Sequence, residues 1–133
     1  RLIVQQEVSA VTAACMMVDG KVFNEIGGLD EEFAVALNDV DLCLNIRKCN
    51  KKIILDPNIE MYHYESKSRG TDEAPEKIDR FKSEIKRFRD KWQDFLKEGD
   101  PYYSPNLTLD RLDCTPRRED EEFTLVQEIE LNN

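Results

Sequence analysis

The sequence predicts a mixed α/β domain with a few strands and three to four helices. Three features carry that expectation. Apolar residues recur at spacings of 3, 4, 3, 4 and 3 through Ile78, Phe81, Ile85, Phe88, Trp92 and Phe95, the period of one helix face. Two short runs, KKIILD and IEMYHYE, flank Pro57 and Asn58 and read as strands split by a turn. Two further apolar segments each open beside a capping residue, Asp19 or Asn38.

At 133 residues the chain has the length of one ordinary domain, enough to bury a core. Apolar residues make up 40% and charged residues 35%, with a net charge of −9. That balance argues against a nucleic-acid surface, which needs a basic patch. A nucleotide is not excluded, because a metal ion neutralises phosphate locally. No apolar run reaches the roughly 20 residues that span a bilayer, and no signal-peptide pattern opens the chain. Cys15, Cys43, Cys49 and Cys114 form no C-x-x-C pair. They read as reduced, mostly buried thiols of a cytoplasmic protein. The first residue is Arg1 rather than Met, which predicts a piece of something longer.

The elements follow in chain order. VSAVTAACMMV, residues 8 to 18, reads as a buried strand or a short buried helix, with strand favoured. Asp19 caps a short helix, GKVFNEI, with Val22, Phe23 and Ile26 on one face; Gly27 and Gly28 end it. LDEEFAVAL is a loop. Asn38 then reads as the N-cap of a helix running to about Asn50, with Asp41 as a capping-box acid and Val40, Cys43 and Leu44 inward. A single helix is expected from Pro75 to Glu98, ended by Gly99. Its stripe fits packing on its own domain, or the seam of a helix–helix dimer. DPYYSPNLTLD is an irregular loop, and residues 113–133 form an acidic tail that is either loose or a last short element.

VTAACMMV, VFNEIGGLDEEF, NDVDLCLNIRK and MYHYESKSRG occur in that order. Each motif alone is weak, but the series is specific. It resembles the C-terminal half of the catalytic domain of family 2 inverting glycosyltransferases. The closest look is to bacterial enzymes of surface-polysaccharide synthesis, rhamnosyltransferase-like members included. DPYYSPNLTLD also resembles a downstream segment of that subgroup, so the resemblance covers roughly residues 9 to 112. It implies a partial GT-A fold over residues 1–112, the acceptor-side half, with the nucleotide-binding half absent. The fragment alone is then expected to be inactive, to bind nucleotide sugar poorly, and to associate as a homo-oligomer through its open sheet edge. The parent's partners would be a nucleotide-sugar donor and a glycan or lipid-linked acceptor, in the cytoplasm or at the inner membrane face.

Inverting transfer needs a base on the acceptor hydroxyl and charge stabilisation on the departing diphosphate. The resemblance assigns the base to Asp39. It implies acceptor contacts at Asn38 and Asp41. The family carries an acidic pair here, so Asn38 is a departure that adds no charge. Read from the residues alone, Asp39 is a first-turn acid and Asp41 a capping acid. His63, the lone histidine, reads as a structural group in a strand; the resemblance makes it a ligand of a divalent metal, Mn or Mg. ESKSRG reads as a solvated loop; in the resemblance Lys67 and Arg69 close over the diphosphate. Asp39-Val40-Asp41 has the Asp-x-Asp spelling of the family's metal motif but stands where the base belongs. A rival reading is a non-catalytic acidic interaction module that dimerises through the long helix.

Overall fold

The computed structural model describes residues 3–62, 75–109, 111 and 113–119. The chain divides into two units, Arg1–Phe88 and Arg89–Asn133.

In the first unit, strands β1 (Gln6–Val8) and β2 (Ile53–Leu55) pair antiparallel, with Glu7 opposite Ile54. A 3-10 turn follows at Ala13–Cys15, then helices α1 (Gly20–Glu25) and α2 (Asn38–Lys48). Helix α3 (Pro75–Lys91) begins in this unit. The core is Leu42, Cys43 and Ile46 of α2 against Ile53 of β2. Val8, Val11, Met16, Val22, Phe23 and Ile26 pack around it. The inward face of α2 is thus wider than Val40, Cys43 and Leu44, and it ties the small sheet to α1. Arg47 reinforces the tie by donating to Val8 O and Ser9 Oγ. The expectation of mixed helices and strands holds: the described residues contain four helices and one two-stranded sheet.

Helix α1 is built as its sequence reads. Asp19 Oδ1 accepts from Lys21 N and Val22 N, which fixes the start. At the end, Gly27 N donates to Asn24 O and Gly28 N to Phe23 O, the two bonds of a Schellman motif. Gly28 is held there twice over. Its φ is +77°, and a Cβ would sit 3.2 Å from the Phe23 ring. Helix α2 closes in the same way with Asn50 at φ 57° in place of glycine. Asn50 N bonds Arg47 O, and Lys51 N bonds Ile46 O.

Three expectations need correction. Residues 8–18 are not one strand: only Val8 belongs to β1, and the small residues turn at Ala13–Cys15. Thr12 Oγ1 accepts from Ala14 N, and the Ala13 N–H goes to a side chain, so neither amide is available to a ladder. Residues 59–62 are not a strand either, although the Pro57–Asn58 turn forms, with Asn58 N bonded to Asp56 Oδ1. Ile59, Met61 and Tyr62 all lie exposed, on both faces of the would-be alternation.

The long helix is two. α3 stops at Lys91, Trp92 leaves helical geometry at φ −113°, ψ 24°, and α4 runs Gln93–Glu98. Of the expected buried stripe, Phe88 and Trp92 are buried and Ile85 and Phe95 half-buried. Ile78 and Phe81 are exposed. No described helix is long and apolar enough to cross a membrane.

In the second unit, α4 ends at Gly99 with φ 84°. The loop after it is ordered by its own polar groups. Tyr103 Oη donates to Thr108 O, Thr108 N to Thr115 O and Arg117 N to Asn106 O. Asp113 is exposed; the Arg111 guanidinium, helped by the Thr115 hydroxyl, holds its carboxyl below the usual range.

The four cysteines are free thiols, but Cys15 and Cys114 are exposed, against the expectation that most are buried. Burial pushes the Cys43 thiol up, and the negative charge of Asp39 adds to that push. With the folded value above the unfolded one (~8.5), the stability from a neutral thiol is complete at pH below ~8.5. It is lost as pH rises through the folded value. Iodoacetamide should therefore alkylate Cys15 and Cys114 about 10-fold or more faster than Cys43 in the native chain. Equal native rates by peptide mass spectrometry would contradict this packing.

Candidate functional site

Asn38, Asp39 and Asp41 at the start of α2 do three different things. The residue before the helix, Leu37, is the N-cap, not Asn38, and it has φ 63°, ψ 2°. A left-handed leucine is costly, about 1–2 kcal/mol, and such outliers concentrate at functional sites. Its side chain cannot cap; its carbonyl accepts from Asp41 N at 2.8 Å and so starts the helix. Asn38 is the first helical residue, and its Oδ1 accepts from Asp39 N at 2.8 Å. The expected N-cap therefore moves one residue back, because the chain enters α2 through a left-handed turn instead of an extended residue.

Asp39 is half-buried, and its two oxygens are directed differently. Oδ1 accepts from Val40 N at 2.8 Å, and Oδ2 reaches across 26 positions to Ala13 N at 3.2 Å. The carboxylate thus bridges the first turn of α2 and the 3-10 turn at Ala13–Cys15. A carboxylate has about four lone-pair sites. Two backbone bonds orient the group and leave capacity for a hydroxyl.

Counted from the Leu37 cap, Asp41 is the fourth residue of α2, one past the capping-box position. It is fully buried, and its Oδ2 accepts from Asn45 Nδ2 at 2.9 Å, one turn along the helix. Its position under α2 makes it a structural polar group of the core, since a buried carboxylate must keep its partners.

His63, Lys67 and Arg69 lie outside the described residues. Among the described residues no three His, Cys, Asp or Glu side chains converge as a metal centre would require. The described residues by themselves do not make up a metal site.

Sequence reading missed one residue bonded to the segment that leads to Asp39. Glu84 of α3 is buried, and its Oε2 accepts from Ala36 N at 2.7 Å. The signal was present: Glu84 falls three residues after Phe81 and four before Phe88, inside the stripe that packs.

Three relatives bear on what such a site does. The chain is 44% identical over 116 residues to the uncharacterised protein y4gI of Sinorhizobium fredii, a match covering 85% of the chain. It is 33% identical over 120 residues to the O-antigen biosynthesis protein RfbC of Myxococcus xanthus, again over 85% of the chain. It is 29% identical over 70 residues, 53% of the chain, to an N-acetylglucosaminyl-diphospho-decaprenol L-rhamnosyltransferase of Mycobacterium tuberculosis. The matched region spans 12% of the first relative, 8% of the second and 23% of the third. No protein-family model matches the chain. No solved structure matches it. The names of the second and third relatives point to a glycosyltransferase-like family, the coarser part of what the motif series implies.

Proposed function

We propose that this chain is the acceptor-side part of a family 2 inverting glycosyltransferase of GT-A fold, with Asp39 as its general base. The observation that supports the reading best is the Asp39 carboxylate, held at a helix start by backbone bonds from two separate segments. In the reaction, Asp39 takes the proton of an acceptor hydroxyl as that oxygen attacks the anomeric carbon. The bond from that carbon to the nucleoside diphosphate breaks, and the leaving group departs with the electron pair. Attack from the opposite face inverts the centre. Asn38, one residue before, is the proposed hydrogen-bond partner for a second acceptor hydroxyl. In the longer protein His63 would help hold a divalent ion, whose chemistry is to neutralise the diphosphate, with Lys67 and Arg69 nearby. The donor sugar class is proposed from the relatives: a deoxyhexose such as rhamnose, passed to a lipid-linked or polysaccharide acceptor.

The test uses the longer polypeptide with a panel of nucleotide-diphospho-sugars and a lipid-diphosphate-linked sugar. Product of inverted anomeric configuration by NMR, with stoichiometric nucleoside diphosphate, is expected. Transfer with retained configuration would overturn the reading.

A second reading, a dimerising interaction module, has one observation in its favour: Ile78 and Phe81 are exposed at the start of α3. It proposes self-association through that pair and is indifferent to Asp39. Phe88 and Trp92 are buried, which takes those two positions out of the expected seam.

A further inference from the structure

We infer that Glu84 is a positioning residue for Asp39: its buried carboxylate clamps the backbone three residues before the base, and so sets where the base stands. The inference rests on the base reading for its catalytic half only.

Three residues of α3 grip one short segment. Phe88 packs edge-on against Phe33, with ring centroids 6.2 Å apart and planes at 71°. Arg87 pairs with Glu32 at the surface. Glu84, one turn before Phe88, accepts the Ala36 N–H at 2.7 Å. The gripped segment, residues 32–36, runs directly into Leu37 in its left-handed conformation and then into Asn38 and Asp39. A left-handed leucine persists only where its surroundings over-determine it. The Glu84–Ala36 bond lies immediately before that residue and spans 48 positions of sequence, so it acts on the backbone and not on a side chain.

The grip is made by an expensive group. Glu84 is 3% exposed, and its Oε1 is buried without a hydrogen-bond partner among the described residues. Arg80 Nε stands 3.7 Å from that oxygen, close enough for ionic attraction and too far for a hydrogen bond. A leucine here would continue the apolar stripe without that cost. What the carboxylate supplies in return is an acceptor for an amide at the entrance to α2.

Reach and charge are separated by two mild substitutions. Glu84→Asp keeps the charge and withdraws the carboxylate by one methylene. Glu84→Gln keeps the reach and one acceptor oxygen and removes the charge. In the 133-residue chain, Glu84→Asp should speed amide hydrogen exchange at Ala36 by about 5- to 10-fold, the loss of one intramolecular hydrogen bond. Exchange at Leu44 and Ile46, inside α2, should stay unchanged. Glu84→Gln should keep Ala36 close to its native rate. In the longer polypeptide Glu84→Asp should lower kcat by about 10- to 100-fold with donor KM unchanged, and Glu84→Gln should restore most of it. Unchanged Ala36 exchange in Glu84→Asp overturns the clamp. Equal acceleration across α2 shows general destabilisation and overturns it too. A faster Ala36 with unchanged kcat overturns the positioning role. If Asp39→Asn transfers normally, the base reading fails while the exchange result still decides the clamp.

Discussion

Under the proposed base role, Asp39→Asn in the proposed full-length enzyme should lower sugar transfer by about 10²–10⁴-fold, the usual worth of a general base. Stability should fall by only about 1 kcal/mol. The two magnitudes separate because of how the carboxylate is held. Its oxygens accept from Val40 N and from Ala13 N. An amide has one acceptor oxygen, so Asn must turn an NH₂ toward one of those N–H groups and forfeit one bond of ordinary strength. Donor binding should be nearly unaffected, because the proposal places Asp39 on the acceptor side. Asp41→Asn is the control two residues along. That carboxylate is fully buried and bonded to Asn45, so its loss should appear in melting temperature, at about 1–3 kcal/mol, and not in turnover of the folded enzyme. Measured together, the pair decides between the readings. Near-normal turnover in Asp39→Asn removes the base assignment and leaves the interaction module standing. Loss of turnover confined to Asp41→Asn moves the base to a residue that must first be exposed.

What could be read from sequence divides by the range of the interactions. Helix α1 was legible from end to end because its cap and its stop are made within a few residues: Asp19 to Lys21, Gly28 to Phe23. The end of α2 near Asn50 was legible for the same reason. Its start was not. Asn38 is a good cap by type, but the chain enters α2 after a segment gripped by residues 84 to 88, and that grip goes with a left-handed Leu37. The run from Val8 to Val18 failed as a strand because one of its amides, Ala13 N, is taken by Asp39, 26 residues away. The one-sided spacing through Phe95 correctly marked a helical face but could not show the break at Trp92. Asp39 itself was singled out by the motif series. Glu84 was not, because periodicity ranks positions by apolar character and passes over a carboxylate in a packed stripe.

Phe33→Ala should cost about 3–5 kcal/mol, the range for truncating a buried phenylalanine. Phe33 is 1% exposed, and its ring meets Phe88 edge-on. Truncation forfeits the burial of the ring, opens a cavity beside α3, and ends an aromatic contact worth about 0.5–1.5 kcal/mol by itself. A domain of ordinary stability has about 5–15 kcal/mol in total, so this one change removes a large part of it. Phe33→Leu keeps most of the apolar volume and should cost less than about 1.5 kcal/mol beyond the lost aromatic contact. Phe88→Ala should resemble Phe33→Ala. Because the two rings share one contact, the double variant should cost less than the sum, with a coupling of at least about 0.5 kcal/mol by denaturant unfolding. Strict additivity would mean the rings do not support each other. A Phe33→Ala cost below about 1 kcal/mol would mean that the segment leading to Asp39 is not anchored on α3 at all.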